Sequence, residues 1–418
     1  MDGQRGGRWR TVLSWTALTL AVVVAIVAAS MLRPIGTMVA FRILNQLPSS
    51  GGPPVAVETA DLSGSEPGSL ISATTMPGVT RTIEGRALRA ARVVYRSTSG
   101  DTSEPTVVSG SVFTPRGDAP ADGWPVVAFG HGTLGIDGQC GPSTSPTLLN
   151  LVNVVRVLVR LGYAVALPDY QGLGTKGVHP YSDARTAGLN MIDAVRALRR
   201  TFDGVSQRWA ALGDSQGGAA AWAADEQARA YAPELRLVGA LASSPAADIS
   251  GLVNKAQQGT LTGEQRPVMQ LVVESLARLH PDLNRDDYRR GAAAHYWNVL
   301  TDCSESAAYQ RGTASAKLGP RDFTPSTAEA ADRLRRLLQD WALPQEPLAA
   351  PLYVWYGGKD PYIDSAWTAA AVERACAMGG VVTVHFDPEG GHNPANALGM
   401  LDWMAERFDG KPAPNDCS

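Results

Sequence analysis

From residue 125 to residue 242, short uninterrupted apolar runs alternate with stretches of helical periodicity. Residues 125–129, 163–168, 209–213 and 237–242 are runs of strand length. Residues 147–161, 184–200 and 216–230 place apolar side chains at helical spacing. Runs without polar alternation suit strands buried on both faces, with the intervening helices as cover. The series predicts an α/β fold: a mostly parallel sheet with helices on both faces. Residues 91–95 and 106–113 are β-branched, partly alternating and separated by Ser-Gly-Asp turn chemistry. They predict a hairpin, which makes the sheet mixed.

The alternation stops near Ser243, and residues 244–349 hold no clear strand. Thr262-Gly-Glu-Gln265 has the form of a capping box, opening a helix with Val268, Val272, Leu276 and Leu279 on one face. Ser326-Thr-Ala-Glu329 has the same form and leads into Leu334, Leu337, Leu338 and Trp341. The stretch predicts a helical insertion. Sheet patterning returns at 352–356 and 381–386, and a last helix is expected over 394–407. The core is thus split into residues 70–243 and 350–418.

Arg5, Arg8 and Arg10 precede an uncharged, largely apolar run over 11–32. A basic flank before such a run is an export signal. The length, near the roughly 20 residues that span a bilayer, suits an uncleaved anchor. Ala28-Ala29-Ser30 suits a cleaved signal peptide. Either reading of residues 1–33 puts the remainder outside the cytoplasm, in contact with the membrane only if the segment is retained. Residues 34–69 read as a linker, rich in Pro, Gly, Ser and Asp from residue 48. With a net charge of −3 the chain has no basic excess for binding nucleic acid. Its four cysteines lack the spacing of a structural zinc module.

Gly213-Asp-Ser-Gln-Gly217 fits G-x-S-x-G between a predicted strand and a predicted helix. A serine on that sharp turn is exposed above the sheet, and the helix N-terminus beside it favours negative charge. Ser215 is therefore the expected nucleophile. The general base should follow it, and four histidines do: His280, His295, His385 and His392. The first two fall in the insertion. His385 lies inside a strand run and is expected to pack against a neighbour. His392, in Gly390-Gly-His-Asn-Pro394, sits in a loop from which it can reach the serine. The orienting carboxylate should follow the strand at 352–356. That gives Asp360 in Gly357-Gly-Lys-Asp-Pro361, with Asp364 and then Asp387 as alternatives. The oxyanion donors should be the N–H of Gln216 and one from Gly130-His-Gly-Thr133: Thr133, with Gly132 as the alternative. His131 is expected to order that loop.

Taken together these segments resemble the secretory lipase family of α/β-hydrolases. The matching pieces include Tyr95-Arg-Ser-Thr98, Gly130-His-Gly-Thr133, Cys140-Gly-Pro-Ser143, Asp169-Tyr-Gln-Gly-Leu-Gly174, His179-Pro-Tyr181, Gly213–Gly218, Gly357–Pro361 and Gly391-His392. They span roughly residues 70–408 in order. The Asp169–Gly174 run is read as a structural turn. The resemblance implies hydrolysis of carboxylic esters, often acylglycerols, beneath a helical cap. It also implies two disulfides, Cys140–Cys303 and Cys376–Cys417. The expected protein is an exported serine esterase or lipase acting on ester or lipid substrates, without metal or organic cofactor. A serine peptidase or amidase on the same fold is the nearest alternative, and a catalytically silent binding protein is another.

Overall fold

The computed structural model describes residues 52–81 and 85–417. The segment read as signal or anchor lies outside them. No described helix is long and apolar enough to cross a membrane.

Nine strands form one sheet: β1 (Leu70–Thr75), β2 (Leu88–Thr98), β3 (Pro105–Pro115), β4 (Trp124–Gly130), β5 (Ala164–Pro168), β6 (Val205–Asp214), β7 (Arg236–Ser243), β8 (Leu352–Gly357) and β9 (Val382–Asp387). Their spatial order is β1-β2-β3-β5-β4-β6-β7-β8-β9. The first three pairings are antiparallel and the remaining five parallel. The expected hairpin is β2–β3. β1 lacks a sequence signal because it is an edge strand with mixed burial. Residues 55–57 lie on β1, with Val57 N–H donating to Ala73 O (3.1 Å) and Thr75 N–H to Val55 O (2.8 Å).

The helices are α1 (Pro77–Thr80), α2 (Val152–Arg160), α3 (Ala184–Thr201), α4 (Gln216–Tyr231), α5 (Gly251–Gln258), α6 (Gln265–Leu279), α7 (Gly291–Thr301), α8 (Ala308–Ser315), α9 (Ala328–Asp340), α10 (Ser365–Ala377) and α11 (Leu398–Phe408). Strand side chains alternate between two covers. Val126, Ala128, Trp209, Ala211 and Val354 pack with α3, α4 and α10. Val127, Phe129, Ala210, Leu241 and Trp355 pack with α2 and α11. The sheet is thus buried on both sides, as its unbroken apolar runs require.

Helix α2 begins at Val152, not at 147, because Leu148, Leu149 and Asn150 have φ of 52°, 50° and 74°. Three successive residues in that region cannot continue a right-handed helix.

Between β7 and β8, helices α5–α9 build their own apolar cluster, including Met269, Val272, Leu276, Trp297, Leu334 and Leu338. Ile136, Tyr181 and Ile363 from outside the insertion join it. The N-cap of α9 is Thr327 rather than Ser326; its side chain accepts from Ala330 N–H at 3.1 Å. Both expected disulfides are formed. Cys140–Cys303 ties the chain after the Gly130–Thr133 loop to the insertion, and Cys376–Cys417 ties α10 to the C-terminal tail.

The chain returning from the insertion is caught by two buried carboxylates of α4. Asp225 Oδ1 accepts from Ala349 and Ala350 N–H (2.9 and 2.8 Å), and Glu226 Oε2 from Gln345 and Glu346 N–H (2.9 and 3.2 Å). Asp225 is fully buried, which pushes its carboxyl up to about 8. A carboxyl raised in the folded state contributes stability below its unfolded value, and that contribution is lost as pH rises toward the folded value. Asp225→Asn keeps the acceptor and removes the ionisation. Urea unfolding of both proteins between pH 5 and 8 should show the variant gaining on the parent by up to about 1.4 kcal/mol per pH unit, with the slope flattening as pH nears the folded value. A pH-independent difference would refute this account of Asp225.

Candidate active site

The C-terminal ends of the parallel strands β4, β6, β7 and β8 supply the site. Ser215 follows β6 with φ 58° and ψ −117°, a strained conformation for a residue with a Cβ. Its neighbours make room. A Cβ on Gly213 would collide with the Gly217 carbonyl, and one on Gly217 with the Gly130 carbonyl. The backbones of β4, β6 and α4 therefore meet at the turn, and only glycine permits it. The turn is pinned by Ser215 N–H donating to Ser243 O (2.9 Å) and Ala246 N–H to Ser215 O (3.1 Å). Ser215 Oγ makes no hydrogen bond among the described residues.

The segment leaving β7 also holds the histidine loop, since Ser244 Oγ donates to His392 O at 2.6 Å. His392 Nδ1 donates to Asp360 Oδ2 at 2.7 Å, and the two side chains are 14 % and 2 % exposed. The other oxygen, Asp360 Oδ1, accepts from Tyr362 N–H (2.8 Å) and Ile363 N–H (3.1 Å). The Tyr362 ring lies against the imidazole, centroids 4.7 Å apart. Asp364 is engaged elsewhere: Lys255 Nζ donates to both its oxygens at 2.8 and 3.0 Å. Asp387 Oδ1 accepts from Glu389 N–H at 3.1 Å. His385 is exposed on the edge strand β9 rather than packed.

The Gly130–Thr133 loop runs beside the serine; a Cβ built on Gly132 would stand 3.8 Å from Ser215 Cβ. The N–H groups of Thr133 and Gln216 have no acceptor among the described residues. For Gln216 this follows from its place at the start of α4, where first-turn N–H groups lack intrahelical partners. Thr133 Oγ1 shares a 2.7 Å hydrogen bond with Tyr181 OH. His131 Nδ1 donates to Gly132 O at 2.7 Å, and full burial pushes the ring down to about 4. It is neutral at physiological pH and orders the loop.

Sequence reasoning missed His179. Its Nδ1 donates to Gln171 O (2.9 Å), leaving Nε2 to accept from Gln216 Nε2 at 2.9 Å. Burial pushes it down to about 3, so it stays an acceptor and fixes the Gln216 side chain. Ser275 of α6 closes the arrangement: it accepts from Tyr181 N–H (2.9 Å) and donates to His179 O (2.6 Å). These partners lie far apart in sequence, so no local signal marks them. Asp214, inside the serine motif, was also passed over. Burial raises its carboxyl, opposed by attraction to His392.

Asp169 serves structure, accepting from Ser109 Oγ (2.5 Å), Ser143 N–H (2.8 Å) and Ser143 Oγ (2.5 Å). A cleft of about 300 Å³ opens at Thr133, lined by Leu134, Pro267, Leu271, Leu300 and Ala308 among others. Among the described residues no group of three or more His, Cys, Asp or Glu is gathered to hold a metal.

Lipase 6 of Candida albicans is 28 % identical over 299 residues, covering 66 % of this chain and 62 % of that protein. This chain thus spans about three fifths of that relative's length. A Mycobacterium tuberculosis protein described as a probable inactive lipase, MT1628, is 27 % identical over 348 residues, covering 77 % of this chain and 74 % of its own. Among solved structures, Candida antarctica lipase A in its closed state superposes with a TM-score of 0.67 at 16 % identity, covering 84 % of this chain and 85 % of that one. The shared architecture is the α/β-hydrolase fold. The secretory lipase family model matches residues 139–416, and the chain belongs to that family.

Proposed function

We propose that this protein is an exported serine hydrolase of carboxylic esters, with Ser215 as nucleophile, His392 as general base and Asp360 as orienting carboxylate. The observation that carries the reading is the part-buried His392–Asp360 hydrogen bond, on a loop that Ser244 ties to the same segment that pins the strained Ser215 turn. Family membership and two disulfides support an ester substrate and an extracytoplasmic setting. Ser215 Oγ attacks the carbonyl while His392 Nε2 takes its proton. The N–H groups of Gln216 and Thr133 hold the oxyanion. His392 then protonates the leaving alkoxide, and water releases the acyl group by the same route. The cleft at Thr133 receives the acyl chain.

One relative carries the description inactive, so catalysis itself needs the test. The full-length chain, purified under oxidising conditions, is assayed on p-nitrophenyl esters from acetate to palmitate and on the matching p-nitroanilides. Ester turnover is expected, and the series reads out the chain-length optimum. Turnover of anilides alone would make the protein an amidase. A folded protein inert on both would leave the silent binding protein.

A further inference from the structure

The Thr262–Gln265 capping box of α6 carries hydrogens that its own helix does not use. Thr262 N–H donates to Gln265 Oε1 at 3.2 Å, and Gln265 N–H donates to Thr262 Oγ1 at 2.9 Å. The hydroxyl hydrogen of Thr262 and the amide hydrogens of Gln265 remain. Thr262 Oγ1 donates to Pro361 O at 2.7 Å, and Gln265 Nε2 donates to Tyr362 O and Asp364 Oδ1, each at 3.0 Å. Gln265 has no exposed surface, and every polar atom of its side chain is engaged. Lys255 of α5 adds its grip on Asp364. Three side chains of the insertion thus hold residues 361–364 from above. The same turn supplies the Tyr362 and Ile363 N–H groups that fix Asp360 Oδ1. Rotating the turn would move both donors, and with them the carboxylate on His392.

We propose that Thr262 and Gln265 are positioning residues for Asp360, acting through the backbone of Pro361 and Tyr362. The inference rests on Asp360 being the orienting carboxylate. The insertion is then part of the catalytic assembly at this edge, and it stays seated there during turnover. A rigid lift of all five helices would release the turn and unseat Asp360. Any opening that admits substrate must leave the start of α6 in place.

The test compares the full-length parent with Thr262→Val, Thr262→Ser, Gln265→Leu and Thr327→Ala. Thr327→Ala removes the N-cap of α9, which does not touch the turn, and so reports general weakening of the insertion. Thr262→Val and Gln265→Leu should lower kcat by about tenfold to 10²-fold with KM nearly unchanged, as for a displaced catalytic geometry. The acid limb of their pH–rate profile should also move to lower pH, because a misplaced Asp360 favours imidazolium less. Thr262→Ser, which keeps the hydroxyl, should retain the parent kcat. Thr327→Ala should lower the melting temperature only. If Thr262→Val does not fold, Gln265→Met, which keeps the length and removes the donors, carries the same reading. The proposal is overturned if the Thr262 and Gln265 variants melt earlier, as Thr327→Ala does, yet keep the parent kcat and acid limb. Asp360→Asn, measured alongside, separates the two failures. If it keeps full turnover, the triad assignment falls. If it loses turnover while the brace variants do not, only the positioning role falls.

Discussion

Replacing Ser215 with alanine is expected to remove ester turnover and to leave the fold intact. Both halves of that expectation come from the geometry of the turn. Ser215 Oγ makes no hydrogen bond among the described residues, so its removal breaks no native hydrogen bond there. Alanine carries the same Cβ, so the positive φ of 58° is no more strained than before. The main-chain bonds that pin the turn, to Ser243 and from Ala246, do not involve the side chain. The melting temperature should therefore match the parent. Turnover should fall by on the order of 10⁶, the scale seen when a triad nucleophile is deleted, with a remainder from the oxyanion donors and binding. Circular dichroism and p-nitrophenyl ester hydrolysis measure the two halves. Activity retained by a folded variant would place the nucleophile elsewhere and end the serine mechanism. A variant that fails to fold would mean that the hydroxyl has a structural partner after all.

The sequence carried most of the sheet because its central strands are buried on both faces. There each residue is constrained by burial and an apolar run is unambiguous: β4 to β8 fall where those runs predict. Legibility fails at the edges. β1 is half exposed, and His385 on β9 faces solvent although its run reads as core. It also fails for α5, α7 and α8, which have 8 to 11 residues each and depend on the shared apolar cluster of the insertion rather than on local pattern. The kink before α2 is a tertiary effect, since nothing about Leu148-Leu149-Asn150 demands a left-handed backbone. The starts of α3, α4, α6 and α9 were legible because turn and capping signals are local, whereas α2 and α11 begin five and four residues later than their patterns suggest. What the caps do beyond their helices was not legible: Thr262 reaches Pro361 across 99 residues.

The same division runs through the site. The serine turn is written in five contiguous residues, and Gly213 and Gly217 have a steric reason to be there. The carboxylate is different. The sequence favours Asp360 for its place at the end of β8 but leaves Asp364 as an alternative, and the three-dimensional arrangement distinguishes their surroundings. Lys255 and Gln265 claim Asp364, and His392 closes on Asp360. Gln216 shows the limit from the other side. The motif points to its backbone N–H as an oxyanion donor, whereas its side-chain bond to His179 joins residues 37 apart and leaves no local trace.

Asp360→Asn should cut kcat by on the order of 10⁴ while KM changes little, as when the orienting carboxylate of a comparable triad is neutralised. The local hydrogen bonds say why an isosteric change should be so costly. An asparagine here must choose which end faces the histidine. The N–H groups of Tyr362 and Ile363 donate to Oδ1 at 2.8 and 3.1 Å, so that position must hold an oxygen. The amide NH₂ is thereby driven to the Oδ2 position, 2.7 Å from His392 Nδ1. Nδ1 must then accept, so the ring proton moves to Nε2. An Nε2 that carries a proton cannot take one from Ser215, and the imidazolium that would form has lost its counter-charge. Binding of the ester is untouched, which confines the loss to kcat. The fold should hold, because the asparagine keeps both backbone contacts. Steady-state kinetics on the best p-nitrophenyl ester, with a melting curve for each protein, decide the matter. A loss smaller than about tenfold would mean that the tautomer is set by another group. The orienting role would then pass to Asp364, whose carboxylate would first have to leave Lys255 and Gln265.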